Sequence, residues 1–161
     1  LVFSTLHTND APSAVTRLIE MGVEPYLVGS AIVGVGAQRL VRKICQSCKT
    51  PASPDPVFQR ELKQLKLENA KFFKGAGCIT CRKSGYLGRT AIHEIMTINE
   101  EIHSLILNQA SARTIRAAAI NSGMRSMRMD GIQKALKGIT SVDEVFRLTK
   151  REEITSTPDA A

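Results

Sequence analysis

CQSC, residues 45–48, and CITC, residues 78–81, decide how this chain is read. Each is a C-x2-C pair, and 29 residues lie between Cys48 and Cys78. Two such knuckles, each presenting two thiolates from one tight turn, are the usual way to build a tetrahedral Zn²⁺ site with four sulfur ligands. The even cysteine count also suits a disulfide framework, but that belongs to small secreted chains, and a redox C-x-x-C normally occurs once. Cys45, Cys48, Cys78 and Cys81 are therefore read as metal ligands. A closed site of four thiolates leaves no position for water or substrate, so the metal would contribute folding energy and not catalysis. His93 and His103 lie outside the knuckles and read as an ordinary strand residue and an exposed helix residue.

The interval between the knuckles is longer than in a common zinc ribbon, so a small subdomain must loop out there. PASPDP, residues 51–56, is a stiff connector that suits neither a helix interior nor a central strand. Val57–Leu67 follows with Phe58, Leu62 and Leu65 at helical spacing, and Lys63 and Lys66 form its solvated face. From Arg39 to Arg89 there are twelve Lys or Arg against three acids, a local charge of +9 in a chain of net +7. Such a patch suits nucleic acid, an anionic membrane face or an acidic partner.

Upstream of the knuckles, the run Leu1–Leu6 reads as a buried strand ending at His7. Asn9 or Asp10 can cap a helix with Pro12 in its first turn, which Gly22 ends. A second helix is expected from Pro25 to about Val35, then a strand over Ala37–Ile44. Strand and helix alternate, which points to an α/β layer, and in such sheets ligands bind beyond the carboxyl ends of strands. His7 at that position is a candidate for contact with a phosphate or an attacking water; a histidine that only bonds a turn fits the spacing equally.

Downstream, GYLGRTAIHEIMTI (85–98) alternates as a strand leaving the metal module. From Asn99 the pattern becomes helical, with Ser111 as a cap, stops at Gly123 and Gly138, and SVDE (141–144) as a capping box. The methionines at 124, 127 and 129 read as core filler. TSTPDAA (155–161) is expected to be disordered. No run approaches the ~20 apolar residues of a membrane span. Nor do residues 1–161 contain a G-x-x-x-x-G-K-[S/T] phosphate loop.

STLHTNDAPSAVTRLIEMG (4–22), AQRLVRKICQSCK (37–49), KGAGCITCRKSGYLGRTAIHE (74–94) and GMRSMRMDGIQKALKGITSVDEV (123–145), in that order, resemble the secretion ATPases that power type II secretion and type IV pilus assembly. The resemblance implies an α/β fold: the C-terminal piece of a RecA-like ATPase domain, an inserted tetracysteine zinc-binding subdomain and a C-terminal helical bundle. The boundaries expected are 1–44 for the RecA-like part, 45–89 for the zinc subdomain, 90–154 for a strand plus helices, and 155–161 for the tail. It also implies that the chain starts after the phosphate loop, acidic box and magnesium-binding segment, inside a strand of the motor domain.

By the same resemblance His7 is the His-box histidine near the terminal phosphate, set by Thr5, Thr8 and Asn9, with Gln38 and Arg39 in a supporting stretch. The parent would bind ATP and Mg²⁺, form a hexamer, act on an inner-membrane platform protein and sit in the cytoplasm, peripheral to the bacterial inner membrane. These residues by themselves would not hydrolyse ATP. Two other readings use the same residues, a basic zinc protein that binds nucleic acid and a zinc adaptor that docks proteins. Against the first, aromatics make up 4% of the chain and tryptophan is absent, so base-stacking platforms are scarce.

Overall fold

Asp10, not Asn9, caps the first helix: its Oδ1 accepts from the Ser13 N–H at 2.9 Å, and α1 runs Ala11–Glu20 with Pro12 in its first turn. The computed structural model describes residues 1–149, so the expected disorder of residues 155–161 lies outside the described residues. After α1 come α2 (Pro25–Ala31), β1 (Gly34–Ile44), a short 3-10 turn (Gln46–Cys48), β2 (Lys49–Pro51), α3 (Pro56–Gln64), β3 (Phe73–Gly75) and β4 (Tyr86–Thr97). Four helices complete the order: α4 (Glu100–Leu107), α5 (Ala112–Asn121), α6 (Met127–Leu136) and α7 (Val142–Leu148).

Leu1–Leu6 does not form a strand. Leu1, Val2 and Phe3 are 98%, 89% and 87% exposed. A strand requires a ladder partner for its backbone N–H and C=O groups, and among the described residues the sheets use only β1 with β4 and β2 with β3. The alternation of strands and helices thus yields two separate two-stranded sheets. The second is antiparallel, with Lys49 opposite Gly75 and Pro51 opposite Phe73. Helix α2 stops at Ala31, short of Val35, because Ile32 turns extended and the Val33 carbonyl is taken by the Ile98 N–H at 3.2 Å.

The chain divides into two units, each assembled from two stretches. The first comprises residues 1–39 and 92–130. Its core is Val15 of α1, Val28 of α2, Met96 of β4, Ile102 and Ile106 of α4, and Ile115, Ala118 and Ala119 of α5. Each fully buried aliphatic side chain contributes about 1.5–3 kcal/mol. Helix α2 lies close on α4: a Cβ at Gly29 would come within 2.8 Å of the His103 ring. His103 is therefore half-buried in a helix contact, not exposed as the sequence suggested, while His93 is a strand residue of β4, as expected, and is exposed.

The second unit comprises residues 40–91 and the chain from Gly131 on. Val41, Ile44, Leu62, Phe72, Ile132, Val145 and Phe146 are buried in it, and Phe58 meets Phe146 edge-on at 4.8 Å. The capping box forms by half. Ser141 Oγ accepts from the Glu144 N–H, but the Glu144 carboxylate turns away to Arg42. Arg42 binds it through Nε at 3.0 Å and Nη2 at 2.7 Å, and Arg147 adds Nη2 at 2.8 Å. Arg42 also stacks on the Tyr86 ring at 4.1 Å.

Burial works against the charge on Glu144, which is 2% exposed, but the bonds from Arg42 and Arg147 outweigh it and hold its pKa at about 2. A folded-state pKa below the unfolded value stabilises above the unfolded pKa and is lost as pH falls toward the folded one. Parent and Glu144→Gln are thus expected to differ by on the order of 3 kcal/mol at pH 7, and the gap should close between about pH 4.5 and 2. Paired urea titrations across that range measure it. A pH-independent gap would remove the ion pair as its cause.

Candidate metal centre

The 3-10 turn Gln46–Cys48 brings the first two thiols together, and the turn over 79–83 that follows Cys78 the second pair. The four Sγ atoms all lie within 4.8 Å of one another. Cys45 to Cys78 and Cys48 to Cys81 are each 3.8 Å, and Cys78 to Cys81 is 3.7 Å. A tetrahedron with Zn–S of about 2.3 Å has edges of about 3.8 Å. All four sequence-predicted ligands are thus brought to one point at a spacing compatible with structural zinc, and His93 and His103 are not among them.

The surrounding backbone suits thiolates. The Gly77 N–H donates to Cys48 Sγ at 3.3 Å, and Cys81 Sγ accepts from the N–H groups of Cys78 at 3.2 Å and Gly85 at 3.3 Å. These donors lower the Cys81 thiol to about 6, the Cys78 N–H foremost, and a backbone bond from Cys81 lowers Cys78. Cys48 moves the other way, to about 12, because its desolvation dominates. Four thiolates at this spacing repel one another, so the protons divide unevenly until a cation deprotonates the set. A bound Zn²⁺ would supply that charge and cross-link the two knuckles.

Glycines let the backbone close around the sulfurs. A Cβ on Gly75 would strike the Gly85 carbonyl, and one on Gly77 would sit 2.8 Å from the Lys83 carbonyl. Beyond Cys81 the turn uses no glycine: Arg82 and Lys83 are held at φ 52° and 61°. That left-handed backbone costs a side-chain-bearing residue about 1–2 kcal/mol.

The other candidates lie in the first unit. Leu1 to His7 is exposed, His7 and Thr5 included, and Thr8 donates its N–H to the Leu6 carbonyl at 3.1 Å. Asn9 Oδ1 accepts from Arg39 Nη2 at 2.8 Å across 30 residues of sequence, joining the histidine-bearing turn to β1. Gln38 is exposed on the same strand.

A family model described as type II/IV secretion system protein matches residues 1–147. The chain belongs to that family. It is 46% identical over 151 residues to the type IV pilus assembly ATPase PilB of Thermus thermophilus and 43% identical over 150 residues to the type II secretion system ATPase E of Vibrio cholerae. The PilB of Myxococcus xanthus is 40% identical over 148 residues. These alignments cover 90–93% of this chain but only 17%, 30% and 26% of those proteins.

In this member of the secretion family, sequence reasoning overlooked Glu94. It sits on β4 between the buried Ile92 and Met96 and is 2% exposed. Its carboxylate accepts the Ala11 N–H at 3.0 Å, the Met127 N–H at 3.2 Å and Arg116 Nη1 at 3.1 Å, and Arg116 also reaches Asp10 at 3.2 Å. One side chain thereby ties the starts of α1 and α6 to α5. The available signal was a carboxylate on the apolar face of an alternating strand, which is rarely buried unless paired. No helix among the described residues is long and apolar enough to cross a membrane.

Proposed function

We propose that this chain acts as the C-terminal part of a hexameric RecA-like ATPase that drives type II protein secretion or type IV pilus extension. The observation that carries the reading is the match of residues 1–147 to the type II/IV secretion family, with relatives named as ATPases at 40–46% identity. In that assembly His7 would face the terminal phosphate of ATP, where an imidazole can donate to a phosphate oxygen or orient the attacking water. The Asn9–Arg39 bond supports this by anchoring the turn beside it. ATP and Mg²⁺ would be held mainly by a phosphate loop and acidic residues of the parent. The cysteine lobe would hold structural zinc, and its basic surface would face an acidic loop of an inner-membrane platform protein or anionic headgroups from the cytoplasmic side.

Residues 1–161 contain no lysine-bearing phosphate loop, so by themselves they should show no ATP turnover above buffer. Joined in frame behind the N-terminal portion of the Thermus thermophilus relative, they should restore turnover, and His7→Ala in that chimera should lower kcat at least ~100-fold. His7 is exposed, so the melting temperature should not move. A chimera indifferent to His7→Ala would reduce the histidine to a turn residue, and turnover by residues 1–161 would refute the division of labour.

A further inference from the structure

We propose that the tip of the second knuckle, formed by Ile79, Arg82 and Lys83, is a docking surface for an acidic protein segment in which carboxylates flank one aliphatic residue. Ile79 is 94% exposed, so it contributes nothing to the core of its own unit. Buried isoleucine is the rule, and an isoleucine projected from a rigid turn has its apolar surface available to a partner. The turn is rigid because the Arg82 N–H donates to the Ile79 carbonyl at 3.0 Å, the Lys83 N–H donates to the Cys78 carbonyl at 2.8 Å, and Cys81 sits between Ile79 and Arg82 with its sulfur in the four-cysteine cluster.

Arg82 and Lys83 are exposed at φ 52° and 61°, a conformation that favours glycine. Two long cationic side chains occur where the backbone alone would be better served by glycine, which points to a use for the side chains. They share the turn with Ile79 in a stretch whose local charge of +9 falls to +7 once four thiolates hold Zn²⁺, so the complementary surface is anionic with an apolar centre. A single aliphatic side chain on a rigid turn offers little area to a bilayer, whereas a protein pocket can enclose it and place carboxylates against both cations. The inference rests on the metal-clamped turn described above. Loss of zinc would signal failure of that site, and unchanged zinc with unchanged affinity would signal failure of the docking surface.

The experiment uses the whole zinc-loaded chain and fluorescent peptides of about twelve residues carrying Glu and Asp around a central Leu. A control series replaces the Leu by Ser, and anisotropy reads the affinity. The Leu series should bind at least about tenfold more tightly than the Ser series and weaken as salt rises from about 50 to 300 mM. Ile79→Asp should lose at least about tenfold in affinity with stoichiometric zinc retained. The double variant Arg82→Gly, Lys83→Gly should lose as much while its melting temperature stays or rises, because glycine relieves the left-handed positions. Equal binding of the Leu and Ser series, or undiminished binding by either variant, would overturn the proposal. So would Ile79-dependent binding to vesicles of phosphatidylglycerol and phosphatidylcholine at about 3:7 without peptide binding, which would assign the tip to a lipid surface.

Discussion

Cys78→Ser is expected to release the metal and unfold the lobe that Lys49–Gly85 builds around it. Serine is almost isosteric with cysteine, so little packing is lost, but the hydroxyl is a poor zinc ligand and stays protonated at neutral pH. The Cys78 sulfur lies 3.8 Å from Cys45 and 3.7 Å from Cys81, so its loss would open a four-sulfur tetrahedron along both of these edges. Structural zinc with four protein ligands contributes an apparent ~10–16 kcal/mol in small domains, more than the ~5–15 kcal/mol by which a whole domain is stable. Apart from the edge-on contact of Phe58 with Phe146, the lobe has little else: β2 and β3 are three residues each, and the buried aliphatic and aromatic side chains between the knuckles are Leu62 and Phe72. Metal analysis should find zinc falling from stoichiometric to trace, and amide exchange across residues 49–85 should lose its protection. Retention of both by the serine variant would mean that the four sulfurs are not a zinc site.

Spacing made the four-sulfur cluster legible because a knuckle is a local object: two thiols three residues apart in one turn need no tertiary information. Helix starts were legible for the same reason. Asn99, Ser111 and Ser141 cap α4, α5 and α7 through bonds to N–H groups three residues on. Non-local partners were not legible. Asn9 and Asp10 are equally good caps by type; the structure uses Asp10 for the cap, which also meets Arg116, and Asn9 for a bond to Arg39, 30 residues away. Glu144 looked like the second half of a capping box, yet Arg42, 102 residues earlier, outcompetes the local N–H. The apolar run at Leu1–Leu6 has the composition of a buried strand, but composition does not supply a neighbouring strand to complete its hydrogen bonds. The placement of His7 inherits that gap. The sequence suggests its chemistry, and Asn9 and Arg39 fix only the turn that follows it.

Glu94→Ala should cost about 3–5 kcal/mol in the first unit, the range for removing one partner of a buried charge network. Three donors converge on this carboxylate, and two are backbone N–H groups, of Ala11 and Met127, that no rotamer change can turn toward water. Each buried donor left without an acceptor costs about 1–3 kcal/mol. Arg116 loses less, since Asp10 remains 3.2 Å away and the arginine is 25% exposed. Glu94→Gln separates charge from shape: the amide keeps one acceptor but turns an NH₂ toward a donor, so its cost should fall between parent and alanine. Urea unfolding gives the free energies, and amide exchange at Ala11 and Met127 supplies the reading that a general loss of packing would not single out. Those two amides should lose protection in both variants before the core around Ile102 and Ile115 does. If glutamine and alanine both remain within about 1 kcal/mol of the parent, the starts of α1 and α6 are held by packing alone, and Glu94 does not organise the unit.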